Sequence, residues 1–436
     1  MACRRKVPGA GSEQDYPADY LTTAQAAQRL GVKPETIYAY VSRGLLTSVR
    51  ESRQRGSRFA TAEVEALAKR TGGRRDPNGS IERIHTQLTL LAGDRLYYRG
   101  RDVSELAEHR LESVAHWLWR AQLADVPPFE VSAERTESIR RTVALLPDTA
   151  RLIDRVRMIV AATGTTDPLR YDLSEQAVVR GGETLLAVMV DALPPCAGAQ
   201  PPAGRALAER LWPKLTARPA TPEHLRLLNA ALVLMADHDL AVSTLAARVA
   251  ASARADVYAV VSAGLGVVDG RHHGAAIGLT HRFLRDALDP AGSPTIAIAD
   301  RLRTGEHLPG LGHVLYVDRD PRADLVLDLL REQARNDDRV ARVIRAVDAL
   351  TRETAAREDM FANVDLALAA LTHTMDMRPD AGEAIFAIAR SIGWLAHALE
   401  EYQQPGLRYR AVGVYTGPRP ATGTATGTGD PKGRRD

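Results

Sequence analysis

The stretch "AIFAIARSIGWLAHALEEY", residues 384–402, sets apolar side chains three and four positions apart along its whole length, with Arg390 and His397 among them. That period belongs to a helix, because 3.6 residues complete a turn and positions i, i+3 and i+4 share a face. The same spacing runs through "SELAEHRLESVAHWLWRAQL" (104–123), "EHLRLLNAALVLMADHDLAVSTLAARVAASA" (223–253) and "ADLVLDLLREQARNDDRVARVIRAVDALTRET" (323–354). Strand-like alternation is confined to a candidate hairpin at "QLTLLAGDRLYYRG" (87–100). The spacing therefore predicts a mostly α-helical body.

Five places in this helical text carry polar groups where burial is expected: "LMADHDLAVST", "DGRHHGAA", "LPGLGHVLYVDRDPRA", "FANVDLALAAL" and "AIFAIARSIGW". A buried charge is costly unless paired, so any single one reads first as a satisfied core residue. Five together ask for one explanation. The histidines at 272 and 273 lack the H-E-x-x-H or C-x-x-C spacing of a zinc site, and no metal is expected. G-x-S-x-G is absent, and "AGLGVVDG" has the wrong glycine spacing, with no strand before it, for a dinucleotide turn.

With 45% hydrophobic and 25% charged residues, the 436-residue chain has globular composition and room for two or three domains. Its net charge of +3 is uneven: residues 1–75 hold 14 Lys and Arg against 7 Asp and Glu, which leaves −4 on the rest. That asymmetry raises the question of nucleic acid at the N-terminal end. Cys3 and Cys196 form no disulfide or zinc framework, and a reducing compartment is expected. "MACRRKVPGAGSEQ" has no apolar run behind its basic start, and runs such as "ALVLMA" are too short to span a bilayer. A soluble, cytoplasmic protein is expected, with no membrane partner.

Residues 20–70 read as a separate unit. Thr22 or Thr23 caps a helix "AQAAQRL" that Gly31 ends; Pro34 opens a second, "PETIYAYVSRG", closed by Gly44; "TSVRESRQRGSRFA" suits a basic wing; Thr61 opens a third helix, "TAEVEALAKR". The layout and the "A-x-x-LGV…T-I-Y…GLL" pattern resemble the DNA-binding domain of the MerR and excisionase-like families. If it binds DNA, the contacting groups are Lys33, Thr36, Tyr38 and Arg43 on the second helix and Arg50, Arg53, Arg55 and Arg58 in the wing, the basic ones mainly to phosphates. The alternative is a helix-turn-helix reused for protein contact. The expected organisation is a flexible arm (1–17), the helix-turn-helix domain (18–72), a linker (73–82), the body (83–417) and a disordered Gly/Thr/Pro tail (418–436).

Residues 83–417 resemble citrate synthase of the compact bacterial and archaeal type. "IHTQLTLLAGDRLYYRGRDVSELAEH", "ADHDLAVSTLAARVAAS", "GRHHGAA", "LPGLGH…DPRA", "NVD", "ARSIGWLAHALEE" and "RYRAVGVYTGP" follow in the family's order. The resemblance implies an all-α body of a large and a small helical domain, the small one roughly 274–377, behind a small winged helix-turn-helix domain. It implies an acyltransferase that condenses acetyl-CoA with oxaloacetate and water to citrate and CoA. Coenzyme A enters as substrate and no other cofactor is implied.

In that reading Asp365 is the base that deprotonates the acetyl methyl, and His273 donates to the thioester oxygen as the enolate forms. His313 polarises the ketone of oxaloacetate; Arg322, Arg390 and Arg408 clamp its carboxylates, and His238 is a further ligand. The family's last arginine reaches across a homodimer, so Arg408 implies shared active sites. His272 has no assigned chemistry. Ala275, Ile277, Ala241, Val242 and Tyr409 depart from the family pattern, and "VLYVD" replaces basic residues after His313, leaving Arg319 as the candidate for CoA phosphates. The nearest alternative is 2-methylcitrate synthase, using propionyl-CoA with the same residues. One from another class is a DNA-binding transcription regulator whose body senses a metabolite.

Overall fold

The computed structural model describes residues 20–30, 32–49, 57–70, 84–270, 275–357, 360–409 and 417. The expected arm, linker and tail lie outside them. Two compact units divide the chain, Met1–His85 and Thr86–Asp436.

The first unit runs β1 (Tyr20–Thr22), α1 (Thr23–Leu30), α2 (Pro34–Ser42), β2 (Ser48–Val49), β3 (Arg58–Ala60) and α3 (Thr61–Arg70). Its antiparallel sheet has the order β1-β3-β2, with Phe59 opposite Leu21 on one side and Ser48 on the other. The sequence reading places no strand before α1; three residues are too few for alternation to show, and β1 exists through its pairing with β3. Thr22 is the residue that caps α1, since its hydroxyl accepts the Gln25 N–H at 3.1 Å while the side-chain Oε1 of Gln25 accepts the Thr22 N–H at 2.9 Å. Pro34 begins α2, and Gly44, at φ +68°, turns the chain out of it. Buried Ile37 and Phe59 join helices to sheet.

The second unit opens with the expected hairpin, β4 (Thr89–Leu91) and β5 (Leu96–Tyr98), extended by β6 (Arg101–Asp102). Helices follow: α4 (Val103–Leu106), α5 (Leu111–Arg120), α6 (Ala133–Val143), α7 (Leu152–Thr165), α8 (Glu175–Asp191), α9 (Leu207–Leu215), α10 (Pro222–Met235), α11 (Val242–Ser252) and α12 (Val257–Val268). Later in the chain come α13 (Ala275–Leu288), α14 (Pro294–Arg303), α15 (Pro321–Gln333), α16 (Asp338–Thr354), α17 (Val364–Thr374) and α18 (Ala381–Tyr402).

Almost every residue of α18 is buried, on all faces, so it is the axis around which α7, α8, α10, α11 and α12 pack. Helices α13 to α17 pack mainly on one another. Glycine makes two of the central contacts possible. A Cβ on Gly393 would lie 2.4 Å from the Ala236 carbonyl and 2.5 Å from Asp237 Oδ1, and one on Gly264 would lie 2.5 Å from the Trp394 ring. Among the described residues no helix is long and apolar enough to cross a membrane.

Candidate active site

Three loops converge where α10 ends and α15 and α17 begin. After α10 the chain turns sharply through Asp239, whose φ of +51° is one that aspartate tolerates. This turn carries His238, which is buried. The second loop carries His313 behind Gly310 and Gly312, at φ +80° and +74°. A Cβ on Gly310 would meet Thr280 of α13 at 2.5 Å and Leu366 of α17 at 2.9 Å, so the loop lies directly on both helices. The third loop precedes α17: Gly312 N–H donates to the Phe361 carbonyl at 2.8 Å, and Asn363 N–H to the Gly310 carbonyl at 3.0 Å. Asn363 then fastens the second loop to the third, donating through Nδ2 to the Gly312 carbonyl at 2.8 Å and capping α17 by accepting the Asp365 N–H at 2.9 Å.

The side chains meet across this frame. His238 and His313 stand edge to face with ring centroids 5.2 Å apart, and the Tyr316 hydroxyl is 3.0 Å from His238 Nε2. Arg322, on the first turn of α15, places Nη2 3.5 Å from His313 Nε2 and its guanidinium carbon 5.6 Å from the Tyr316 ring. Arg390 is buried in α18, with Nε donating to the Met235 carbonyl at 2.9 Å and the guanidinium 4.7 Å from the Phe386 ring. Asp365 is half-buried on the first turn of α17.

Burial, then the charge on Arg322, lowers the His313 pKa to about 4. The ring is therefore neutral near pH 7. Its Nδ1 accepts the Leu315 N–H at 3.1 Å, which assigns its one proton to Nε2, the side toward Arg322. The 3.5 Å contact is thus electrostatic rather than a hydrogen bond. His238 is held well below the ordinary histidine value by burial and by Arg322 and Arg390. For Asp365, burial raises the pKa to about 6, with Arg322 opposing and Asp320 reinforcing. Each arginine is balanced from within: Asp320 binds Arg322 through two hydrogen bonds of 2.9 and 2.8 Å, and Asp237 offsets the burial that lowers Arg390. The arrangement offers a carboxylate base, a neutral imidazole donor and two cations suited to an anionic, carbonyl-bearing ligand.

The family model described as "Citrate synthase, C-terminal domain" matches residues 80–410. The chain belongs to the citrate synthase family. A helix-turn-helix domain model matches residues 20–72. The citrate synthase of Haloferax volcanii is 32% identical over 190 residues, 43% of this chain and 49% of that one. The 2-methylcitrate synthase 2 of Corynebacterium glutamicum is 28% identical over 343 residues, covering 74% of this chain and 88% of the relative. The citrate synthase of Thermoplasma acidophilum, solved as a ternary complex with carboxymethyl coenzyme A and oxaloacetate, matches with a TM-score of 0.66 at 22% identity, over 78% of this chain and 96% of that one.

Two other residues of this citrate synthase homologue, Arg408 and Arg319, pair with carboxylates of their own chain. Arg408 binds Glu401 of its own chain through Nε at 2.6 Å and Nη2 at 2.8 Å, and the Tyr409 hydroxyl donates to the same carboxylate at 3.0 Å. Glu401 also accepts from Arg248, which reaches His397 Nδ1 at 2.8 Å; His397 Nε2 in turn lies 3.2 Å from Asp237. Arg319 is exposed and pairs with Asp324 at 3.4 Å. Beside it Val314 is 96% exposed and Val317 67% exposed, in a loop held by Asp94, which accepts the N–H groups of Val317 and Asp318 at 2.8 and 2.9 Å. His272 and His273 lie outside the described residues. Asp269, shortly before them, is held by Arg151 at 2.8 Å and Arg157 at 3.1 Å. Ile277 is buried against Gly382, which accounts for an apolar residue there.

In the first unit Lys33, Tyr38 and Arg43 are exposed on α2 and its flanks, while Thr36 and Arg58 are half-buried. Arg50, Arg53 and Arg55 lie outside the described residues. The sequence reading missed Tyr316, Asp320, Asn363 and Asp237. Each sits within a quoted motif, but beside the residue whose chemistry drew notice.

Proposed function

We propose that the body condenses acetyl-CoA with oxaloacetate and water, giving citrate and CoA. What supports this reading is the close approach of His238, neutral His313 and Arg322, with Asp365 near enough to Arg322, and Arg390 near enough to His238, for their charges to act on each other. Arg322 and Arg390 bind the oxaloacetate carboxylates, and His238 adds a polar contact. The Asp365 carboxylate takes a proton from the thioester methyl, while His273 donates to the thioester oxygen as the enolate forms. The enolate carbon attacks the ketone carbon, and the new alkoxide takes the Nε2 proton of His313. Water then cleaves the thioester of citryl-CoA, releasing citrate and the CoA thiol.

A raised Asp365 supports the role of base, because a carboxyl near pKa 6 is still ionised at pH 7 yet more basic than an ordinary aspartate. Propionyl-CoA in place of acetyl-CoA adds one methylene, worth about 1–3 kcal/mol in discrimination, so activity with both is expected. The protein acts as a homodimer in this reading, and Arg408 serves a substrate only by exchanging Glu401 for it. CoA phosphates find Arg319 at the rim.

A second reading concerns the first unit: exposed Lys33, Tyr38 and Arg43 around α2 support DNA binding, with the body as a metabolite-responsive dimer that pairs two readers. The test of the main reading is thiol release from acetyl-CoA and propionyl-CoA with oxaloacetate. Release that requires oxaloacetate supports it; none from either thioester overturns it and leaves the regulator reading.

A further inference from the structure

Asp320 is fully buried, and its carboxylate accepts four hydrogen bonds. Oδ1 takes the Arg322 backbone N–H at 3.0 Å and Arg322 Nε at 2.9 Å, while Oδ2 takes Arg322 Nη2 at 2.8 Å and the Val364 N–H at 3.0 Å. The first contact caps α15. The last reaches the first residue of α17, one position before Asp365. A single carboxylate thus spans the two helices that bear the substrate arginine and the base.

We propose that Asp320 is a positioning residue that locks the Arg322 guanidinium and the first turn of α17 in one register, so that a carboxylate held by Arg322 sets the ketone carbon against the enolate made at Asp365. The proposal rests on the condensation reading above. Asp320 meets neither substrate; it acts through Arg322 and through the Val364 N–H. Two rigid elements pinned to one buried anion keep a geometry in which small misplacements cost rate steeply. Asn363 secures the same turn from the other side, through the Gly312 carbonyl, and leaves the Arg322 connection to Asp320 alone.

Two variants of the full chain separate the two halves. Asp320→Asn keeps the volume but sets an amide N–H₂ against one of the donors. Val364→Pro removes the helix N–H while keeping an apolar side chain, at a position where proline is tolerated, and Asn363 before it, at φ −98° and ψ 176°, already has the extended backbone that proline requires. Oxaloacetate binding is read by calorimetry and turnover by thiol release.

Asp320→Asn is expected to weaken oxaloacetate binding at least about tenfold, the worth of one charge-assisted hydrogen bond, and to lower kcat at least as much, with the acyl-CoA KM within about twofold. Val364→Pro is expected to lower kcat about tenfold with oxaloacetate affinity and binding stoichiometry unchanged, a split that partial unfolding does not give. Wild-type affinity and kcat in Asp320→Asn, or wild-type kcat in Val364→Pro, would overturn the proposal. If Asp320→Asn does not fold, Val364→Pro decides alone. If the wild type binds oxaloacetate but releases no thiol, the condensation reading fails and the affinity of Asp320→Asn still judges the arginine half. If it does not bind oxaloacetate, both fall.

Discussion

The surroundings of Asp365 that would suit it as the proposed base also cost stability. Its folded pKa of about 6 lies above the ordinary 3.8, so the folded state prefers the protonated form. That contribution to stability is fully present below about pH 4 and is lost as pH rises through 6. Asp365→Asn is accordingly expected to melt a few degrees above the wild type at pH 7, with the gap closing below about pH 4; an equal gap at both pH values would contradict the assignment. Tyr316 lies against His238, a substrate ligand in the proposed reaction. Tyr316→Phe removes the hydroxyl that lies 3.0 Å from His238 Nε2 and is expected to raise the oxaloacetate KM by about three- to tenfold with kcat less affected, the loss of one neutral hydrogen bond. The sequence displayed the candidate groups because a His, Asp or Arg inside apolar text stands out. It hid Tyr316, Asp320 and Asn363 because a tyrosine, or a capping Asp or Asn, occurs in most loops, and only the fold shows what it touches.

Helices were legible from their period, whereas the central place of α18 shows only in its burial on all faces. The three-residue β1 was not legible, since pairing alone makes it a strand. Nor does spacing reveal that Gly393 lets α18 touch the Asp237 turn. Gly393→Ala drives a methyl to about 2.4 Å from a backbone oxygen and is expected to destabilise the protein by about 1–3 kcal/mol, read as a lower denaturant midpoint. Helices α13 and α17 meet at a stacked pair, His281 and His373, with centroids 4.0 Å apart. Burial, then His373 and Arg285, lowers His281 to about 4, so this packing is intact above pH 6.5 and loses stability as pH falls from 6.5 toward 4. His281→Phe is expected to flatten the fall in melting temperature over that interval. An unchanged slope would show that the pair does not limit acid stability.

At the scale of the whole chain, the join between a basic N-terminal unit and a helical body is visible as a shift of charge and composition, whereas the shape of either unit is not. If the first unit reads DNA, binding weakens as salt rises, and deleting residues 1–75 abolishes it; a truncated protein that binds equally well would exclude that unit as the reader. The proposed chemistry of the body is tested separately. Its central claim is that Asp365 is the base of an acyl-CoA condensation, and the direct measurement is oxaloacetate-dependent thiol release from acetyl-CoA by the wild type and by Asp365→Asn across pH. The account predicts a wild-type rate that rises with pH through about 6 and a variant that still binds oxaloacetate but is slower by at least about a hundredfold, the lower range for a lost general base. Release by Asp365→Asn at the wild-type rate, or none by the wild type, would contradict it.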